Sequence, residues 1–331
     1  MARYFLTGVA GFIAARVAEL LLDDGHSVIG VDNLNHAYDV RMKDYRLGKL
    51  VDRPNFSFIK LDISNRDELE NLFHSELHNK TSNQFDAVIN LAARAGVRRS
   101  VEDPWVYLDT NITGTLNLLE LCRRYEIKKF LLASTSSIYG LDAPLPTPEE
   151  ANSDYPLQPY AASKKGAEVL SHAYHFLYGI DVTIFRYFTV YGPGARPDMI
   201  MFRLAQWIHE GKTVRVNGDG EQSRGFTYVD DIARGTILGL RPMGYQVINL
   251  GGHETIKIND LITLFEKYIG QEAAIEHGPA DPADMQANWA DVEKAEELLG
   301  WQPEVSLRDG IANLIAWYQA ERAWASQIIT D

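Results

Sequence analysis

A single cysteine, Cys122, stands among 331 residues, so no disulfide can form within the chain. It lies in "NLLELCRRY", where apolar residues recur at helical spacing. It therefore reads as core packing rather than as a nucleophile, and the chain fits a reducing compartment. Long hydrophobic runs are missing too, the longest falling well short of the ~20 residues that cross a bilayer. "MARYFLTG" is no secretory leader, because its apolar part is short and leads straight into a glycine turn; a cytoplasmic protein is expected. Positive charge is scarce, with 32 Lys and Arg against 45 Asp and Glu and a net charge of −13. That balance argues against non-specific nucleic-acid binding and against docking on an anionic membrane. It leaves room for an anionic ligand wherever local arginines or helix ends override the mean field. Internal repeats and low-complexity tracts are absent. What is present is the composition of a globular protein, 46% apolar and 23% charged, in a chain long enough for one large domain or two ordinary ones.

Short β-rich runs alternate with amphipathic helical patterns. "RYFLTG" (3–8), "SVIGVD" (27–32), "FSFIKLD" (56–62), "AVINLAA" (87–93), "KFLLAST" (129–135) and "DVTIFRYF" (181–188) read as strands. Their apolar character suits strands covered on both faces, as in a parallel sheet. Between them, "RVAELLLDDG", closed by Gly25 as a C-cap, and "TGTLNLLELCRRY" have helical spacing. The alternation predicts an α/β fold built on a doubly wound parallel sheet. Beyond about residue 190 the loops lengthen and become rich in Gly, Pro and Asp. Even so, "YVDDIARGTILGL" (228–240) and "QVINLG" (246–251) read as a further helix and strand returning to the sheet. A smaller C-terminal part is thus expected to interleave with the first domain.

Two constellations carry chemistry. "TGVAGFIA" (7–14) places Gly8, Gly11 and Ala14 at the spacing G-x-x-G-x-x-A, directly between a strand and a helix. Small residues there let the backbone approach a pyrophosphate, whose charge the helix N-terminus stabilises. Asp32 ends the second strand at the distance where an acid holds the adenosine ribose diol and repels a 2′-phosphate, which favours NAD over NADP. In "YAASK", Tyr160 and Lys164 share one helical face. The ammonium is expected to lower the phenol pKa through space and, with a nicotinium charge, to make a phenolate available as general base. Upstream, "LLASTSSIYG" (131–140) turns from apolar to Ser134, Thr135, Ser136 and Ser137, with no acid or base among them.

Other features are expected to be structural. His172 and His175 share a helix but show no third ligand, so no metal site is expected. Glu149-Glu150 and Asp230-Asp231 read as cap and surface charges, and Met199, Met201 and Phe202 as packing. "VNGDGEQSRGFTYV" (216–229) lacks Gly-Lys-Ser, which excludes a P-loop, and reads on its own as a hairpin turn. The Pro-rich segment 142–159 reads as a loop closing over the ligand.

The order and spacing of these motifs resemble the extended short-chain dehydrogenase/reductase superfamily, specifically its NAD-dependent nucleotide-sugar epimerases. The likeness runs from "TGVAGFI" through "VDNLN", "NLAARAGVR", "STSSIYG", "YAASKK" and "FTYVDDI" to "ANWADVEKAEELLGWQP". It implies a Rossmann-type fold with permanently held NAD+, Tyr160 as base, Lys164 on the nicotinamide ribose, and Thr135 sharing the sugar O4 proton. By the same likeness Gly8, Gly11, Phe12, Ile13, Asp32, Asn33, Asn35, Asp62, Ile63, Leu91, Ala92, Ala93, Asn111 and Tyr187 join Tyr160 and Lys164 around the cofactor, with Asp62 and Ile63 at the adenine. Ala14 replaces the family's usual glycine, and its methyl is expected to be tolerated with a slight helix shift. The implied organisation is an NAD-binding unit of residues 1–188 plus about 227–251, and a nucleotide-sugar unit of 189–226 and 252–331. The family's usual pairing implies a homodimer, through a four-helix bundle of the helices near 104–125 and 160–178.

The resemblance also bears on the reaction. Related 4,6-dehydratases carry Thr-Asp-Glu where this chain has Thr135-Ser136-Ser137, and related decarboxylases carry Thr-Ser-Glu. Without a carboxyl there, no route for eliminating water is evident, which leaves 4-epimerisation. "FTVYGPGARPDM" (188–199), "VDNLNHAYDVRMKDYRL" (31–47) and "AARAGVRRSVEDP" (92–104) are similar to UDP-glucuronate 4-epimerases. That likeness puts Thr189, Arg196, Ser136 and Ser137 around the C5 carboxylate of a uronate. It also puts Arg224 on the diphosphate, with Arg215 a weaker candidate, and Val214–Val216 near the uracil. "DPADMQANWAD" departs from the usual pattern at Ala283-Asp284, which leaves Asp284 and the nucleotide's identity open. UDP-glucose/UDP-galactose or N-acetylhexosamine epimerisation is the alternative, followed by decarboxylation of UDP-glucuronate, net dehydrogenation or silent NAD binding.

Overall fold

The computed structural model describes residues 1–78, 84–252, 254–279 and 286–330. Seven strands form one sheet: β1 (Arg3–Thr7), β2 (Ser27–Asp32), β3 (Phe56–Lys60), β4 (Ala87–Asn90), β5 (Lys129–Thr135), β6 (Asp181–Tyr187) and β10 (Tyr245–Leu250). Their order is β10-β6-β5-β4-β1-β2-β3, and every neighbouring pair is parallel. The apolar runs form the inner strands because helices cover both faces, leaving no face for polar residues, while edge strand β3 exposes Ser57 and Lys60. On one side α1 (Phe12–Asp23), α9 (Val229–Leu238) and α11 (Glu293–Leu299) pack through Val17, Leu21, Ile232 and Leu299. On the other, α3 (Arg66–His78), α6 (Gly114–Arg124) and α7 (Pro159–Tyr178) contribute Phe73, Leu118, Cys122 and Ala167. Cys122 is fully buried, and burial pushes its thiol pKa far up, which suits packing. The strand order reverses between β1 and β4, so the crevice of a doubly wound sheet opens beyond their carboxyl ends.

The strands read from sequence are these strands, with one instructive difference. β4 stops at Asn90, and Leu91, Ala92 and Ala93 leave the sheet to line the crevice. The helix expected near 104–125 is broken into α5 (Trp105–Leu108), a π-wound turn at Asp109–Thr113, and α6. Such π turns gather at functional sites, and this one carries Thr110 and Asn111.

The remaining elements build a second core. It is formed by α8 (Ile200–His209), α10 (Ile258–Ile269) and α12 (Leu307–Ala325), packed with β8 (Val214–Asn217) and β9 (Ser223–Tyr228). β9 pairs with β7 (Thr189–Tyr191), β11 (Thr255–Lys257) and β13 (Ala287–Asn288). β8 pairs instead with β12 (Ile275–Gly278). The hairpin reading of 216–229 is therefore corrected, because the turn joins strands of two different sheets whose partners come from distant sequence.

Two other expectations change. Segment 142–159 does not line the crevice; it is tied down by Thr147, which exchanges backbone hydrogen bonds with Trp289 and Asp291. Glu149 is no surface charge: its carboxylate accepts from the Asn249 N–H at 2.6 Å, and burial raises its pKa. Asp230 and Asp231 do occupy the first turn of α9, but each has a partner, Arg16 at 2.8 Å and Arg234 at 2.6 Å. His172 and His175 both pack against the Tyr245 ring.

Candidate active site

A single cleft of about 1110 Å³ runs from the glycine turn after β1 to the second core. At its first end, Gly8 has φ +71°, and a Cβ on it would stand 2.8 Å from the Ala92 backbone. A Cβ on Gly11 would stand 2.7 Å from the Gly8 carbonyl oxygen. The turn is therefore as tight as its glycines allow, and it aims α1 at the cleft. That helix starts at Gly11 without a side-chain cap, and Phe12 and Ile13 line the cleft. Uncapped N–H groups at a helix N-terminus are a donor set for a pyrophosphate. Ala14 is accommodated, buried in the same helix.

Beside this turn, Asp32 closes β2 with Oδ1 accepting from the Leu34 N–H at 2.8 Å and from Lys43 Nζ at 3.1 Å. Lys43 was not legible as a site residue, although it is four-per-cent exposed and lines the cleft. Asn33, Asn35, Asp62 and Ile63 complete this end. Burial pushes the Asp62 carboxyl up, but hydrogen bonds from Ser64 and Asn33 and the nearby Arg94 charge outweigh it and leave the pKa lowered. Asn111 lies behind the lining rather than on it. Its amide is committed to the Arg94 backbone N–H and carbonyl and to Ser163 Oγ, at 2.9, 3.1 and 2.8 Å. It shapes the loop that lines the cleft.

In the middle, β5 delivers its hydroxyls. Thr135 Oγ1 caps the 3₁₀ turn Ser136–Tyr139 by accepting from the Ser137 N–H at 3.2 Å, and lies 3.2 Å from Ser137 Oγ. Pro159 starts α7, so Tyr160 and Lys164 fall in its first turns on the cleft face. The Tyr160 phenol shares this wall with Thr135, close enough for the Thr135 hydroxyl to bear on its pKa. Burial pushes this phenol up, against the Thr135 hydroxyl and the Arg196 charge, and the result is a raised pKa. The expectation that Lys164 draws the phenol down is thus not met in the protein alone, because desolvation dominates. Burial also lowers Lys164 to about 8, with Glu168 opposing. A cation bound against both groups would favour the phenolate. Ser134 Oγ is a buried hydroxyl of the same wall without a hydrogen-bond partner among the described residues. Tyr187 lines the floor, its hydroxyl 2.7 Å from Thr236 Oγ1.

At the far end stand Ser136, Ser137, Thr189 and Arg196. Arg215, Val216 and Arg224 line the outer cleft, whereas Val214, on the same face of β8 as Val216, is fully buried in the second core and lies off the lining. Asp284 lies outside the described residues. Sequence reasoning missed Tyr38, Asp198, Arg203 and Trp207, all lining residues. Only the tertiary fold brings them to the cleft, and nothing in their local pattern marks them.

With this geometry in place, likeness to known proteins is informative. Residues 4–251 match the model of the NAD dependent epimerase/dehydratase family. A UDP-glucuronate 4-epimerase of Thermodesulfobacterium geofontis is 52% identical over 318 residues, covering 96% of each chain. The crystal structure of a UDP-glucuronic acid 4-epimerase mutant from Bacillus cereus, in complex with UDP-4-deoxy-4-fluoro-glucuronic acid and NAD, superposes with a TM-score of 0.89 at 36% identity. That match covers 96% of this chain and 99% of the other. A UDP-glucose 4-epimerase from Thermotoga maritima, solved with UDP-glucose, gives 0.87 at 31% identity and covers 97% and 99%. The fold and site define a nucleotide-dependent enzyme of the Rossmann class. The chain belongs to the NAD dependent epimerase/dehydratase family, and NAD is its cofactor. The open α1 terminus, Asp32 and the orphan Ser134 hydroxyl fit that group. Among the described residues no helix is long and apolar enough to cross a membrane.

Proposed function

We infer that the chain is a UDP-glucuronate 4-epimerase, interconverting UDP-glucuronate and UDP-galacturonate. The observation that carries this reading is the convergence of Thr135, Tyr160 and Arg196 on one cleft, with serines rather than carboxylates following Thr135. Tyr160 takes the proton of the sugar 4-hydroxyl, relayed through the Thr135 hydroxyl. Lys164 holds the nicotinamide ribose and stabilises the phenolate. NAD, when bound, supplies the acceptor to which the C4 hydride is lent and from which it returns. Rotation of the 4-keto sugar presents its other face, and Tyr160 gives the proton back. Ser136, Ser137, Thr189 and Arg196 grip the C5 carboxylate, for which charge-assisted donors are well suited. The grip also protects it. A 4-keto uronate is a β-keto acid, which loses CO2 when the C5–C6 bond aligns with the ketone π-system, the electron pair passing to the C4 oxygen as an enolate. Fixing the carboxylate out of that alignment preserves the intermediate.

At the first end Gly8, Gly11, Phe12, Ile13, Asp32, Asn33, Asn35, Asp62, Ile63, Leu91, Ala92, Ala93 and Tyr187 hold the cofactor, and Arg215, Val216 and Arg224 hold the nucleotide. We assign residues 1–188 plus about 227–251 to the NAD unit and the remainder to the sugar-nucleotide unit. Exposed Trp105 on α5, with Val169, Phe176 and Leu177 on α7, supports a homodimer through these helices. A cytoplasmic setting suits its lone buried thiol.

The test is incubation of purified protein, without added cofactor, with UDP-glucuronate and UDP-glucose in parallel. UDP-galacturonate should form, with UDP-glucose slower by roughly a hundredfold, since it offers no carboxylate to the remaining donors of Arg196. Tyr160→Phe should lower turnover by about a thousandfold or more. Equal turnover of UDP-glucose would overturn the uronate assignment.

A further inference from the structure

Arg196 does not stand alone in the cleft. Its Nε donates to Asp198 Oδ1 at 3.0 Å and its Nη2 to Asp198 Oδ2 at 2.5 Å, a side-on fork that occupies one edge of the guanidinium. Nη1 makes no protein hydrogen bond among the described residues, and both Arg196 and Asp198 line the cleft. The pair is built on a tight turn. Pro197 stands between the two residues, and the Met199 N–H donates to the Arg196 carbonyl at 3.2 Å. Asp198 sits just ahead of α8, whose N-terminus favours a carboxylate. The guanidinium carbon lies over the Tyr38 ring, 5.9 Å from its centroid. Tyr38 is itself fixed, since its hydroxyl accepts from Arg46 Nη1 at 2.8 Å.

We propose that Asp198 is a positioning and specificity residue, which holds the Arg196 fork at a fixed angle and cancels its net charge, so that the free edge reads a planar carboxylate. This rests on the uronate reading above. The physical reason lies in the substrate, which brings two kinds of anion into one cleft, a diphosphate and a carboxylate. A bare, mobile guanidinium would be drawn to the more highly charged diphosphate and could seat the substrate in the wrong register. Paired with Asp198, it no longer offers a net positive charge, yet it keeps directional N–H donors on its remaining edge. A carboxylate of matching geometry can still use them. Because the fork cannot swing, it also fixes the rotation of the carboxylate and so suppresses loss of CO2 from the 4-keto intermediate.

The experiment uses the NAD-containing enzyme and the variants Asp198→Asn, Arg196→Ala and the double variant. Asp198→Asn keeps the shape but cannot accept the fork through two oxygens. It should raise KM for UDP-glucuronate about tenfold and increase the share of turnovers ending in UDP-pentose and CO2, with kcat changed less than threefold. The Kd for UDP alone, which lacks the sugar, should stay unchanged. On the Arg196→Ala background, Asp198→Asn should add nothing, because its effect acts through Arg196. An unchanged or lowered KM in Asp198→Asn overturns the proposal, a lowered value showing that Asp198 competes with the substrate. Loss of UDP affinity overturns it too, since Asp198 would then support the fold. If Arg196→Ala itself leaves the KM for UDP-glucuronate unaltered, the uronate reading of Arg196 fails. If only Asp198→Asn is silent, the present proposal alone fails.

Discussion

Tyr160 and Lys164 show how burial recasts a motif. Spacing places both on one helical face, and the structure keeps them there. What the spacing does not contain is the cost of desolvation, which raises the phenol and lowers the ammonium to about 8. Lys164 is a base, so its charge is present below that pH and lost above it. A bound nicotinamide cation nearby can only lower the value further. We therefore expect kcat/KM for UDP-glucuronate to fall on the alkaline side with an apparent pKa at or below about 8. Lys164→Arg, which does not titrate in this range, should be slower but lack that limb. A limb identical in both proteins, measured from pH 6 to 10, would assign it to another group. At this scale the meeting of Thr135, Tyr160 and Lys164, the proposed catalytic residues, in one cleft was legible, because the residue types and their order are distinctive. Lys43 and Asp198 were not, since one lysine or aspartate in a helix or loop looks like any surface charge.

Among elements, the turn from β1 into α1 was read from three small residues, and its geometry explains them. Gly8 is required twice, by its φ of +71° and by the Ala92 backbone 2.8 Å from where a Cβ would be. A methyl there pushes apart β1 and the loop after β4, the two walls of the proposed cofactor site. Gly8→Ala should purify with well under half the NAD content of the parent and lose about 2 kcal/mol of stability. Ratios of absorbance at 260 and 280 nm, with denaturant unfolding, check both, and full NAD content would show that the turn relaxes cheaply. Five of the six strand runs before residue 190 were legible because a strand buried on both faces must be apolar throughout, whereas edge strand β3 keeps Ser57 and Lys60 exposed. The partnering of β8 and β9 was not, because β12 and β13 reach them from far along the chain.

Across the whole molecule, Arg46 joins what the sequence separates. This buried side chain on α2 (Arg41–Gly48) donates to the Ala10 carbonyl in the glycine turn at 3.0 Å and to the Gly194 carbonyl at 2.9 Å. Gly194 lies two residues before Arg196, so one guanidinium ties the cofactor turn to the loop that carries the proposed carboxylate grip. Arg46→Met leaves two buried carbonyls without donors and should cost about 3 kcal/mol. It should also raise KM for UDP-glucuronate, read in the same assay as the Asp198 variants. Wild-type stability in guanidinium chloride would show that the two parts are held together elsewhere.

The sequence by itself determined the doubly wound sheet, the tight glycine turn after β1 and the placing of Thr135, Tyr160 and Lys164, the proposed catalytic residues, along one cleft. These depend on periodicity and short-range spacing, which a linear chain records directly. The tertiary structure decided which charges meet: Lys43 against Asp32, Asp198 against Arg196, Arg46 across both parts. Such pairs depend on distances between segments far apart in sequence or on side-chain direction and burial, and composition and spacing encode neither.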